Sequence, residues 1–327
     1  MISIGIESSA HTFGIGITND KCELLANEKH SYTSAEGGII PREVADHHFN
    51  FAHEVLQNAL LKANLKMQDV DIVSFTQGPG IGNCLKVGAT FARSLALKYK
   101  KPIVATNHAI AHIEIGKALT GAKNPLVVYV SGGNTQIIGF DSGKYRVFGE
   151  TLDIGVGNLL DSFGRELGIG FPAGPKIDEM YFQGKKLIEL PYSVKGMDLV
   201  FSGLLTSAAK KIGKESKEDL CYSLMHNSFA MIAEVSERAL AHTQKKELLI
   251  VGGVACSKAM QAMMKEMCEE RGTKFFVAPN SVNVDNGFMT AWLGLIMYKK
   301  GIKTKIEDSA VIQKFRVDQV EAKWVKG

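Results

Sequence analysis

A strand, a small polar turn and a second strand open this chain, and the same pattern returns about 120 residues later. The first copy reads Ile2-Ser3-Ile4-Gly5-Ile6-Glu7, then Ser8-Ser9-Ala10-His11-Thr12, then Phe13-Gly14-Ile15-Gly16-Ile17, with a third strand expected around 22–32. The second reads Leu126-Val127-Val128-Tyr129-Val130, Ser131-Gly132-Gly133-Asn134-Thr135 and Gln136-Ile137-Ile138-Gly139-Phe140, with a third strand at 144–149. A repeat of this length duplicates a half-molecule; it is no solenoid period. It predicts two lobes, 1–124 and 125–327, parted near Lys123-Asn124-Pro125.

Helices and strands alternate between and after the copies. Helical periodicity is expected at 46–63, 85–99, 223–244 and 257–270, and strands at 71–76, 102–105 and 247–251. The resulting class is α/β with mixed sheets. Two duplicated lobes that each open on strand-turn-strand point to the actin-like ATPase (ASKHA) fold, with a nucleotide cleft between them. A length of 327 residues suits two domains, and 45% hydrophobic with 22% charged residues is an ordinary globular balance. Net charge of +4 is too mild to mark a nucleic-acid binder alone but leaves room for a local basic surface. The start lacks a basic segment before a long apolar run, and no stretch is apolar enough to span a bilayer, so no membrane association is expected. Five cysteines without a C-x-x-C pair read as reduced thiols of a cytoplasmic protein.

Asn107-His108-Ala109-Ile110-Ala111-His112 places two histidines one helical turn apart on one face, where both reach a single metal ion. Asp285, in Val284-Asp285-Asn286-Gly287, is a candidate third ligand brought in by the fold. The plainer alternatives are an ordinary helix and a capping Asp. Ser131-Gly132-Gly133-Asn134-Thr135 offers amides, hydroxyls and a side-chain amide to a phosphate, and equally suits a tight hairpin. Gly252-Gly253 ends a strand before a helix, where an anion is favoured, while Gln77-Gly78-Pro79-Gly80-Ile81-Gly82 is as readily structural. Neither a P-loop nor a well-placed dinucleotide fingerprint occurs.

Taken together, these stretches resemble one family, the threonylcarbamoyl-transferases of tRNA (TsaD/OSGEP/Gcp). The resemblance runs from Ile4-Gly5-Ile6-Glu7 to Gln313-Lys314-Phe315-Arg316. Gly37-Gly38-Ile39-Ile40-Pro41-Arg42-Glu43 with Ala45-Asp46-His47-His48 carries it, as do Gly78-Pro79-Gly80, the two-histidine segment and Tyr129 to Gln136. Glu150-Thr151-Leu152-Asp153, Phe201-Ser202-Gly203-Leu204, Gly252-Gly253-Val254-Ala255 and Asp285-Asn286-Gly287 complete it. The Pro-Arg-Glu and Asp-His-His segment and Ala10-His11-Thr12 resemble the archaeal and eukaryotic branch, which works inside the KEOPS complex. The resemblance implies a metal, iron or else zinc, held by His108, His112, Asp285 and the Tyr129 hydroxyl. It further implies threonylcarbamoyl-AMP along Tyr129, Val130, Ser131, Gly132, Gly133 and Asn134, with Asp161, Gly174, Asp178 and Ser257 around the same ATP/AMP-type nucleotide. Ser257 stands where the family usually has Asn, Asp178 where it has Glu, Ala173 where it has Gly, and Met225-His226 where it has Gln-Glu.

The implied reaction moves threonylcarbamoyl onto the N6 amine of the adenosine 3′ to the anticodon. His11 is a candidate proton relay near the first turn. Expected partners are tRNA, a separate kinase-like ATPase (some relatives are fused to one) and a small dimerising subunit. Lys185, Lys186, Lys195, Lys210, Lys211 and Lys214, with Arg42 and Lys86, are candidate RNA contacts, although scattered lysines usually just solvate a surface. A zinc peptidase needs a Glu after the first histidine, and Ala109 stands there. An actin-fold ATPase or kinase would not need the His-His-Asp set, and a non-catalytic scaffold would bind metal without transfer.

Overall fold

The computed structural model describes residues 1–34 and 39–325, so Gly37 and Gly38 lie outside the described residues. The chain first forms β1 (Ile2–Glu7), β2 (Thr12–Asn19), β3 (Leu24–Ser31), α1 (Pro41–Ala63), β4 (Ile72–Gly78), α2 (Gly82–Tyr99), β5 (Ile103–Asn107) and α3 (His108–Thr120). There follow β6 (Leu126–Val130), β7 (Thr135–Asp141), β8 (Lys144–Glu150), α4 (Val156–Glu166) and α5 (Gly174–Tyr181). A short hairpin of β9 (Val194–Lys195) and β10 (Asp198–Leu199) leads to α6 (Ser202–Ala209) and α7 (Lys217–Thr243). The chain closes with β11 (Glu247–Val251), α8 (Lys258–Glu270), β12 (Lys274–Val277), α9 (Asn280–Asn283) and α10 (Gly287–Lys299). No described helix is long and apolar enough to cross a membrane.

The duplication expected from the sequence appears as two sheets of one topology. Their orders are β3-β2-β1-β4-β5 and β8-β7-β6-β11-β12. In each, the opening meander is antiparallel and the last two strands join in parallel. The expected helices are present with shifted starts. The first begins at Pro41, whose fixed φ suits a first turn. The long one begins at Lys217, where the Ser216 hydroxyl accepts from the Asp219 amide at 3.1 Å.

Side-chain alternation along the strands sorts residues into layers. Ile4 and Ile6 of β1, with Phe13, Ile15 and Ile17, face α1 and α2. Val128 and Val130 of β6, with Leu248 and Ile250, face the helices of the second lobe. The opposite faces meet in a central layer that holds α3, α10, Val127, Tyr129, Leu249 and Val251. There the helices are exchanged. Helix α10 lies on β1, β2 and β4 of the first sheet, while α3 lies against β11, β12 and α9 of the second. The 1–124 and 125–327 division therefore parts the sheets but not these helices. Covered on both sides, α10 is apolar all round and shows no helical stripe, so the sequence did not announce it.

The seat of α10 is made by glycines. A Cβ on Gly5 would lie 2.1 Å from the Ala291 nitrogen, and one on Gly16 would lie 2.0 Å from the Phe288 nitrogen. Gly16→Ala is expected to cost about 3 kcal/mol or more in urea unfolding, because backbone on both sides must move. Gly203→Ala, with open space around it in α6, is the contrast and should leave stability equal or raise it by about 0.5 kcal/mol.

Candidate functional site

Both exchanged helices begin at one point. Asn107 caps α3 through the Ile110 amide (3.2 Å), and Asn286 caps α10 through the Met289 amide (3.0 Å). His108 is thus the first residue of α3, His112 sits one turn further, and Asp285 immediately precedes the cap of α10. His108 Nε2 and His112 Nε2 each lie 3.4 Å from Asp285 Oδ1, and one ligand atom from each residue falls within 4.8 Å of the others. Ligands at about 2.1 Å from a tetrahedral ion stand about 3.4 Å apart, so the two contacts to Asp285 already have that spacing and the third pair would close on an ion. Both histidines are buried, and the Asp285 side chain keeps 15% of its exposure, which leaves the cluster open on one side. The Tyr129 ring lies 5.7 Å from that of His112 and 6.4 Å from that of His108.

The electrostatics follow from burial and pairing. Burial opposes charge on His108, but Glu7 on one side and Asp285 on the other hold its pKa well above 6.5. Burial dominates at His112 and lowers its pKa. Asp285 is driven up by burial and, more strongly in sum, down by the two histidines, and it ends well below 3.8. Burial raises the Tyr129 phenol. Among the described residues, the buried His112 Nδ1 has no hydrogen-bond partner. Sequence reasoning gave no role to Glu7 and Ser9, which stand 3.0 and 3.2 Å from His108 Nδ1. Only the strand alternation that turns Glu7 toward the central layer hinted at it.

The proposed nucleotide residues form a closed circuit of contacts in the second lobe. The turn after β6 is closed by the Ser131 amide on the Asn134 carbonyl at 2.8 Å. Gly132 and Gly133 are exposed, and among the described residues their amides donate to no other backbone group. The start of α4 packs on this turn, Gly157 and Asn158 donating to the Ser131 and Gly132 carbonyls. Helix α4 carries Asp161, which accepts from the Ala173 amide at 2.8 Å, one residue before Gly174 opens α5. Helix α5 carries Asp178, which accepts from the Ser257 hydroxyl at 2.5 Å, at the cap of α8. Gly252, at φ +98°, closes the circuit, because a Cβ there would lie 2.3 Å from the Val130 carbonyl. The two departures at 178 and 257 are therefore bonded to each other. Burial raises the Asp161 carboxyl despite its amide partner.

Other expected residues have different surroundings. The His11 ring packs edge-on to Phe171 at 5.3 Å. Asp153 accepts from the Phe201 and Ser202 amides at 3.0 and 2.7 Å, so two of the family-like stretches brace one another. Lys185, Lys186, Lys195, Lys210 and Lys214 are exposed, Lys211 is half-buried, and Lys186 pairs with Glu215 at 3.2 Å. Arg42 and Lys86 are exposed on α1 and α2. All five cysteines are free. A cavity of about 730 Å³ lined by Asn124, Phe140, Lys245 and Lys274 lies at the opposite end of the second sheet and contains none of the site residues.

A row of imidazoles braces the first turn. His48 Nε2 donates to the Ala10 carbonyl at 2.9 Å, His47 Nδ1 stands 3.2 Å from His48 Nδ1, and His30 Nδ1 stands 2.6 Å from His47 Nε2. Because His48 must donate to a carbonyl, its Nδ1 is an acceptor, and each histidine behind it is set in turn.

A family model described as TsaD, tRNA N6-adenosine threonylcarbamoyltransferase, matches residues 23–292. A tRNA N6-adenosine threonylcarbamoyltransferase of Thermococcus kodakarensis is 55% identical over 326 residues, 99% of this chain and 100% of the relative. One from Thermofilum pendens is 48% identical over 98% of this chain and 96% of its own length. A probable bifunctional tRNA threonylcarbamoyladenosine biosynthesis protein of Methanocaldococcus jannaschii is 48% identical, and the match spans 61% of it. Among solved structures, HypF of T. kodakarensis superposes with TM-score 0.64 at 14% identity, over 92% of this chain and 48% of that one. The activator of the 2-hydroxyisocaproyl-CoA dehydratase from Clostridium difficile, with bound ADPNP, gives 0.56 at 13% identity, over 93% and 99%. These two likenesses are of fold and identify the actin-like ATPase architecture.

Burial drives His48 down to about 4 from 6.5, against the lift from the Ala10 carbonyl. Folded His48 binds fewer protons than unfolded His48, so its stabilisation is complete above pH 6.5 and is lost as the pH falls through about 4. The loss should be about 3 kcal/mol. Urea unfolding across this range should show that slope in the native chain and a flattened one in His48→Gln.

Proposed function

The chain belongs to the TsaD family of tRNA N6-adenosine threonylcarbamoyltransferases, and from that premise we propose how its residues carry out the transfer. The enzyme forms N6-threonylcarbamoyladenosine in tRNA. The observation that carries our reading is the path of one strand. β6 brings Tyr129 beside the two histidines and, two residues on, opens the turn whose Gly132 and Gly133 amides have no backbone acceptor among the described residues.

In this reading threonylcarbamoyl-AMP lies across that junction, its phosphate on the 131–133 amides and its ribose toward Asp161, Gly174, Asp178 and Ser257. The ADPNP bound by the dehydratase activator of the same fold supports a nucleotide between the lobes. His108, His112, Asp285 and the Tyr129 hydroxyl would hold a divalent metal, iron in preference to zinc. Bound there, such an ion supplies Lewis-acid polarisation of an oxygen. The adenosine N6 is a poor nucleophile because its lone pair is delocalised into the ring, so orientation and charge stabilisation must carry the rate. N6 attacks the carbamoyl carbon, the bond from that carbon to the phosphate oxygen breaks, AMP leaves on the glycine amides, and the amine gives up a proton. His11 is our candidate for receiving it.

The target we assign is the adenosine 3′ to the anticodon in tRNAs that read ANN codons. We further propose action in the cytoplasm within a KEOPS-type complex that contains a small kinase-like ATPase and a small dimerising subunit. The bifunctional M. jannaschii relative, longer than the matched region, supports a closely coupled second component.

The test reconstitutes the chain with its partners, ATP, threonine, bicarbonate, the adenylate-forming enzyme and unmodified tRNA, followed by nucleoside mass spectrometry. His108→Ala and His112→Ala are expected to lower modification on the order of 100-fold or more and to abolish stoichiometric metal in elemental analysis. Full activity in both variants would remove the metal from the mechanism. Asp178→Ala should weaken binding of an adenylate analogue by about tenfold, read by calorimetry, since it also loosens the cap of α8. Unchanged affinity would move the ribose elsewhere.

A further inference from the structure

We propose that Glu7 is the positioning residue of the metal centre: it fixes which nitrogen of His108 faces the ion and fastens the Asp285 helix to the same point. The inference rests on the metal reading above. Glu7 is fully buried at the end of β1, on the strand face that looks into the central layer. Its Oε1 accepts from the Ser9 amide at 2.6 Å, and its Oε2 accepts from the Thr76 hydroxyl at 2.6 Å. The same Oε2 lies 3.0 Å from His108 Nδ1 and 3.5 Å from the Thr290 hydroxyl of α10. Thr76 and Thr290 are themselves 3.2 Å apart. One carboxylate thus joins β1, β4, α3 and α10.

Every group around it offers a proton, and an ionised carboxylate only accepts. Nδ1 is therefore the protonated nitrogen of His108, which leaves Nε2, 3.4 Å from Asp285 Oδ1, as the nitrogen that gives its lone pair to a metal. A ligating imidazole oriented through its far N–H in this way is a more basic ligand held in one plane. A purely structural role is the alternative, and the same strand argues against it. Two turns of alternation earlier, Ser3 makes the equivalent bridge from β1 to β4 with Ser74 at 3.3 Å, using hydroxyls alone. Joining these strands needs no buried charge, whose desolvation costs several kcal/mol. The charge is explained by what it does to His108.

Glu7→Gln keeps the shape and removes the charge. Zn²⁺ affinity of the full chain, measured by competition with a chelating dye, is expected to fall 10- to 100-fold in this variant. Ser74→Ala, which breaks the neighbouring bridge, should lower the melting temperature and leave Zn²⁺ affinity unchanged. In the zinc-loaded native chain, long-range proton–nitrogen NMR should show His108 coordinated through Nε2 with a proton on Nδ1. That spectrum decides the matter even if the Gln variant does not fold. Coordination through Nδ1, or a folded Glu7→Gln chain that binds Zn²⁺ like the native one, overturns the role of Glu7 while the metal centre stands. A native chain that binds no more Zn²⁺ than His108→Ala and His112→Ala overturns the metal centre and the role of Glu7 with it.

Discussion

A helix laid directly on a strand, backbone against backbone, governs this structure. Gly5 and Gly16 place no side chain of their own between the first sheet and the first turns of α10, so the helix from the far end of the chain packs backbone against backbone there. With α10 fixed there and α3 fixed against β11, the starts of the two helices converge. Their caps, Asn107 and Asn286, are both buried, which holds His108, His112 and Asp285 on rigid elements. Rigid presentation is what a ligand set needs, because tolerances in such sites are about half an ångström.

That geometry creates an electrostatic problem. Two helix N-termini point positive ends at a place where the ligands invite a cation. Glu7 and Asp285 bring two carboxylates to the same spot and offset those ends. The buried His108 lies between them, and both raise its pKa against the cost of burial. In our reading a metal would compete with a proton for His108, which would tie its uptake to proton release.

The proposed nucleotide side is built from groups that already have partners. Asp161, Asp178 and Ser257 already serve as hydrogen-bonding partners at the starts of α5 and α8. A ribose that engaged them would exchange with, or share, those bonds. In our reading, binding in the second lobe therefore acts on the same caps that set its helices, and the shortened pair at 178 and 257 works as a unit because its members bond each other.

Much of this was legible in the sequence. The two strand-turn-strand openings declared the duplicated sheets, and the i, i+4 histidines declared a shared face, because strand and helix periods are local properties of the backbone. The glycines and small polar residues of 131–134 marked a turn able to face an anion. Other parts had no local signature. Helix α10 was silent because a helix covered on both sides has no polar stripe, and the exchange of α3 and α10 between lobes follows from which sheet face offers a glycine seat. Glu7 reads as one more strand residue until His108, distant in sequence, is brought to 3.0 Å. The sequence by itself determined the strands, most of the helices, the duplicated sheets and the residues proposed as metal ligands. Only the tertiary structure decided that Glu7, His108 and Asp285 share one buried point, because that depends on close backbone packing between segments far apart in the chain.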